Sequence, residues 1–287
     1  MTNENQVALT GALTAVLPGP ARTWLEDALA KVAGSAEPEG DLASLGAAAR
    51  RKLGDDPLGA GAAPIQTPAG PLAIAAWSRA DAGRVTLVLA AVSTRPGEAE
   101  QIVEAAYRAG DDLERAALMR GLALMPTPEA LKPIALATGR TNSVPLYSAL
   151  ALDNPYPAAY YSEHELNQLV LKALFLAIPI ERVQGLAARA NPDLSRMCED
   201  YADERLAAGR SVPADIWLAL APFASAHGAG LLIDHLSSPD PRHRYYSAKA
   251  ASLRRPAGAA LAGALAERLR VETDEGIRAT IAASLGP

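Results

Sequence analysis

Residues 162–178 read SEHELNQLVLKALFLAI, and this stretch sets the class of the chain. Ser162 followed at three residues by Glu165 is a capping box. The serine hydroxyl accepts from the amide at the third helical position, and the acidic side chain reaches back to the serine amide. Behind the box, Leu166, Leu169, Val170, Ala173, Leu174 and Ala177 recur at the spacing that lines one helix face. Leu171, Phe175 and Ile178 carry apolarity to the other side. The pattern predicts a helix from Glu163 to Ile178, buried nearly all round and stopped by Pro179.

Working outward, the same kind of start signal recurs along the chain. Asp111 with Glu114, Thr127-Pro128-Glu129, Asn191-Pro192-Asp193 and Asp240-Pro241 each put a capping residue ahead of a proline or acid in a first turn. Alanine inflates the 49% apolar content and favours helix throughout. One stretch is ambiguous: residues 71–93, PLAIAAWSRADAGRVTLVLAAVS, read as two apolar runs around a turn. The helical reading is preferred, with Asp81 as cap of the second run, because a lone hairpin between helices has no sheet to join. The class is therefore all-α, a HEAT-like helical-repeat solenoid of stacked antiparallel helix pairs.

That solenoid is expected as one continuous structural unit. N-terminal helices occupy residues 1–53, and a Gly/Pro/Ala-rich loop, a candidate hinge or lid, spans 54–70. A central helical domain covers 71–236, and C-terminal HEAT-like helices cover 237–287. In that last part Asp240 and Arg242 are expected to tie adjacent pairs. A helix from Ala257 to Arg270 and a final one after Thr273 follow.

Charge and cysteine content remove several classes. The net charge is −5, so the chain has no electrostatic footprint for nucleic acid or an anionic membrane. Arg50-Arg51-Lys52 is cancelled by Asp55 and Asp56 and reads as a solvated helix end. Cys198, the single cysteine, excludes an intramolecular disulfide and fits a reducing compartment. The first residues lack a basic region ahead of their apolar stretch, and no apolar run is long enough to span a bilayer, so a cytoplasmic protein without membrane insertion is expected.

Polar residues on the apolar helix are the candidates for chemistry. Gln168 and Lys172 share one side, and a lysine there needs a partner, water or a cavity. The structural reading pairs Lys172 with Asp200 or Glu204 and spends Asn167 on the loop Asn154-Pro155-Tyr156-Pro157. The functional reading gathers Lys172, Arg182 and Asn167 around an anionic or polyhydroxyl group, walled by Tyr156, Tyr160 and Phe175. Glu199 with Asp203 and Asp200 with Glu204 are carboxylate pairs at helical spacing, read as a solvated face; Asp200, beside Tyr201, is the one to watch for a turn toward the core. His235 and His243 flank Asp240 but lack metal-ligand spacing. No metal and no cofactor is expected, and Cys198 reads as a core residue.

Residues 140–213 carry a resemblance. Arg140-Thr141-Asn142, Asn154-Pro155-Tyr156-Pro157, Asn167-Gln168 with Leu171-Lys172-Ala173, Arg182 with Gly185-Leu186, Asp200-Tyr201-Ala202 and Glu204-Arg205 resemble the core of the EboA family. The resemblance implies an accessory protein of secondary-metabolite biosynthesis or export. Such a protein is encoded beside a prenyltransferase, a cyclase similar to dehydroquinate synthases, and hydrolase-like or sugar-isomerase-like enzymes.

Two functions remain open at this point. One is a non-catalytic protein that binds a small cyclitol- or prenyl-type intermediate, or a pathway enzyme, in a concave helical groove. The other is an enzyme of isomerisation or cyclisation using Lys172 and Asp200 as acid/base groups. Asn154, Tyr156, Asn167, Gln168, Arg182, Tyr201 and Glu204 are the candidate binding residues of either. Oligomeric state is left open.

Overall fold

Where the sequence announces a cap, a helix usually starts. A computed structural model of the chain describes residues 4–254 and 258–286. Asp111 accepts from the amides of Leu113 and Glu114 while Glu114 Oε2 accepts from the Asp111 amide at 2.8 Å. Ser162 and Glu165 close the same box. Asn191 and Asp240 accept from the amides of Leu194 and Arg242. Thr127 does not cap: a 3-10 turn over Pro128–Leu131 intervenes before the next helix.

The described residues form sixteen α-helices and one two-stranded antiparallel sheet, so the class is all-α. The chain divides into two compact units, Met1–Tyr161 and Ser162–Pro287. Helices pack as pairs within each unit. Their lengths run from 4 to 16 residues, so the pairs share no unit length that would count repeats.

The first unit contains α1 (Glu4–Val16), α2 (Gly19–Gly34), α3 (Pro38–Leu53), β1 (Ile65–Thr67), β2 (Gly70–Leu72), α4 (Arg79–Thr94), α5 (Ala99–Ala109), α6 (Asp112–Arg120), α7 (Lys132–Thr138), α8 (Val144–Ala151) and α9 (Tyr156–Tyr160). Helix α4 is the hub, packed against α1, α2, α3, α5 and α6. Its residues Val85 to Val92 are all buried, which explains why this run looked strand-like. A helix wrapped on every side has no polar face, so apolar periodicity disappears. Close approach is bought with glycine: a Cβ on Gly83 would lie 2.2 Å from Leu53 Cδ1.

Two expectations need correction here. The cap of α4 is Ser78, whose hydroxyl accepts from the Asp81 amide at 3.0 Å, while the Asp81 carboxylate pairs with Arg120 at 3.0 Å. A hairpin does exist, but it is the small one joining β1 and β2 in the register Ile65 with Leu72. It needs no larger sheet because Ile65 and Leu72 are both buried and β1 packs on α1.

The second unit contains α10 (Glu163–Phe175), α11 (Pro192–Ala207), α12 (Trp217–Leu220), α13 (Ala226–His235), α14 (Pro241–Ala251), α15 (Ala259–Val271) and α16 (Glu275–Leu285). Helix α10 ends at Phe175, short of the expected Ile178, because Ala177 takes a left-handed φ of 55°. The expected start at Ala257 lies outside the described residues. Asp240 and Arg242 pair with each other at 2.8 Å on the surface and tie no helices together.

The tie is Glu272, whose side chain is 0% exposed. It accepts from Arg244 of α14 at 2.8 and 3.2 Å, from Arg268 of α15 at 3.0 Å, and from the Thr273 and Asp274 amides leading into α16. The Arg244 hydrogen bonds, opposed by burial and helped by the Asp274 amide and Arg268, hold its carboxyl near 2. A buried charge is tolerated because every oxygen is satisfied. No helix among the described residues is long and apolar enough to cross a membrane.

Candidate functional site

Helical spacing builds a groove in the second unit. Residues 168, 171, 172 and 175 fall on one ridge of α10, and residues 197, 200, 201 and 204 repeat that spacing on α11. Between the ridges lies an open groove of about 580 Å³. Its polar members are Gln168, Lys172, Asp200 and Glu204; its apolar members are Leu171, Phe175, Met197 and the ring of Tyr201.

Phe175 is 68% exposed, so α10 is not buried nearly all round as the pattern predicted. Apolar spacing cannot distinguish a side chain facing the core from one facing a groove. Lys172 is half-buried, and that burial lowers its amine below the usual lysine range. Asp200 is exposed and pairs with Arg196 at 3.1 Å, so it does not turn toward the core. The Tyr201 hydroxyl accepts from Arg205 at 3.1 Å, and the same guanidinium sits 5.6 Å above the Tyr201 ring.

Other candidates are placed elsewhere. Asn167, 3% exposed, faces inward and exchanges two 3.0 Å hydrogen bonds with Asn191, the cap of α11. It therefore steadies the start of α11, not the 154–157 loop that was expected. Asn154 and Tyr156 are buried in the first unit. Asn154 donates to the Met119 and Ala149 carbonyls and accepts from the Tyr156 amide, while the Tyr156 hydroxyl donates to the Pro128 carbonyl at 2.7 Å. Their polar atoms serve backbone, and neither lines the groove. Arg182 is exposed on a 3-10 turn and lies outside the lining as well.

The carboxylate row on α11 splits by direction. Glu199 is buried and receives the Ser225 amide at 2.8 Å and hydroxyl at 2.6 Å, which fixes the start of α13. Gly228 makes room for it, since a Cβ there would lie 2.3 Å from Glu199 Oε1. Asp203 instead meets His227 at the surface, and that contact raises the imidazole above its usual value.

The histidine pair is a packing device. Trp217 donates its indole N–H to His243 Nδ1 at 3.0 Å, and the His235 ring lies 4.4 Å from the indole and 4.8 Å from His243. Burial lowers the His243 pKa, which suits a ring that must keep Nδ1 unprotonated to accept from tryptophan. No group of three or more His, Cys, Asp or Glu placed to hold a metal occurs among the described residues. Cys198 is buried, and burial pushes its thiol upward.

The groove's chemistry follows from its exposure. An apolar wall beside an amide, an amine and two carboxylates can hold a molecule that is apolar at one end and hydrogen-bonding at the other. Met197 is the lining residue that sequence reading passed over, and its signal was the matched spacing on α10 and α11. A family model described as "Metabolite traffic protein EboA" matches residues 7–221. No curated protein and no solved structure matches the chain.

Proposed function

The chain belongs to the EboA family of metabolite traffic proteins, and from that premise we propose an accessory protein that binds a small intermediate without transforming it. The observation that supports this reading is the exposed Phe175 in an open groove beside Gln168, Lys172, Asp200 and Glu204. Leu171, Phe175 and Met197 suit a prenyl-type chain, and the polar rim suits a cyclitol-type head with several hydroxyls. The setting proposed is the cytoplasm and secondary-metabolite biosynthesis or export, with HEAT-like stacking as the framework. Docking of a pathway enzyme on the same groove is the competing occupant.

A catalytic reading rests on one observation, the lowered Lys172 amine, which would leave more of that group neutral and able to take a proton. Its proposed partner Asp200 is exposed and engaged by Arg196, so the pair lacks the shared dry environment that acid/base catalysis uses. Native mass spectrometry of the protein purified from its own host tests the proposal. A bound small molecule that is lost in Phe175→Ser and weakened in Lys172→Ala is the expected result. A ligand retained by both variants overturns the groove assignment, and turnover of that ligand overturns the binding-only reading.

A further inference from the structure

The first unit holds a pocket of a different kind, about 40 Å³ and partly enclosed by α3, α4, α5 and α6. Leu42, Leu87, Val88 and Leu118 form its apolar walls, and two charged side chains reach it, Arg84 and Glu114. Arg84 is anchored: Nε donates to the Gly46 carbonyl at 3.1 Å, and Nη1 lies 3.7 Å from Asp81. Glu114 is half used. Its Oε2 completes the Asp111 capping box, whereas Oε1 is buried with no hydrogen-bond partner among the described residues. A buried acceptor left without a donor is costly and rare, so this oxygen calls for one.

The chemistry of the pocket selects among donors. An ammonium would meet the Arg84 guanidinium, and a carboxylate or phosphate would meet Glu114. A neutral hydroxyl is the group whose chemistry suits both, because it can donate to the carboxylate and accept from the guanidinium. The space exceeds the roughly 10–15 Å³ a single water requires, and its walls are hydrocarbon. Gly46, inside helix α3, leaves the approach open: a Cβ there would stand 3.5 Å from Glu114 Oε1, where a ligand atom would otherwise come.

We propose that this pocket is a second binding site, for the hydroxyl end of a small aliphatic alcohol. The O–H donates to Glu114 Oε1, the oxygen accepts from Arg84, and the alkyl part packs on Leu42, Leu87, Val88 and Leu118. The site is separate from the groove reading, with its own residues in the other unit, so the two stand or fall independently.

The test titrates the full chain with 1-butanol and with its isomer diethyl ether, which has no O–H, while leucine and valine methyl resonances are followed by NMR. The expected result is saturable butanol shifts centred on Leu42, Leu87, Val88 and Leu118, with ether binding weaker by about tenfold or more, the loss of one hydrogen bond to a charged acceptor. Gly46→Leu abolishes the shifts, and Gly46→Ala, which keeps the helix and adds only a methyl, weakens them. Glu114→Gln keeps an acceptor for the Asp111 amide and replaces the orphan oxygen with a donor, so butanol loses its advantage over ether. Equal binding of ether and butanol to the native chain, absence of saturable shifts, or butanol shifts that survive Gly46→Leu each overturn the proposal.

Discussion

One residue on the inner face of α10 and one on its outer face invert the usual sorting of side chains. On the inner face Asn167 is 3% exposed; on the outer face Phe175 is 68% exposed. The buried amide has an internal explanation, since Asn191 receives and returns its hydrogen bonds and in turn caps α11. The exposed phenyl has none within the fold. A residue explained by its neighbours supports the structure; under the groove proposal, the phenyl is the side chain offered to a ligand.

That contrast can be broken by measurement, most forcefully at Glu272. Glu272→Ala strands Arg244 and Arg268 and is expected to cost about 3–5 kcal/mol, read as a lower urea midpoint. A loss under about 1 kcal/mol would mean that buried polarity is not what secures the second unit. Acid attacks the same clasp. Because the Glu272 carboxyl is held near 2 against an ordinary 4.5, its contribution is complete above pH 4.5 and drains away as the pH falls toward 2. The expected loss is about 3 kcal/mol, and it should vanish from the pH profile of Glu272→Gln.

The next effect sharpens the comparison on α10 itself. Asn167→Ala leaves the Asn191 amide with fewer partners and is expected to cost about 1–3 kcal/mol in thermal or urea unfolding. Phe175→Ser, on the other face, is expected to leave stability within about 0.5 kcal/mol while removing ligand from the groove. If Phe175→Ser were as damaging as Asn167→Ala, the outer face would be ordinary packing and the groove assignment would fail.

Local chemistry was legible in the sequence, and convergence was not. The caps at Asp111, Ser162, Asn191 and Asp240 depend on residues within one turn of each other, so spacing alone found them. The all-α class followed from those caps and the periodic stretches between them. Glu272 was passed over because the partner that makes it a tie, Arg244, lies 28 residues back on another helix, and Asp240 with Arg242 offered a nearer pair that proved to be local. Arg84 and Glu114 come together only because α4 and α6 pack side by side. On the groove, six of the residues named from sequence (Gln168, Lys172, Phe175, Asp200, Tyr201 and Glu204) share one lining, whereas Asn154, Tyr156, Tyr160, Asn167 and Arg182 do not. A motif records proximity along the chain; which face each residue occupies is decided by neighbouring helices.

Trp217 carries a consequence for the far end of the chain. The family match stops at residue 221, yet the indole leans on His235 and His243, which come later. A protease cutting soon after residue 221 would therefore release no dispensable tail. It would strip the wall from a tryptophan, and a red shift in fluorescence would announce the damage before the shortened chain was seen on a gel.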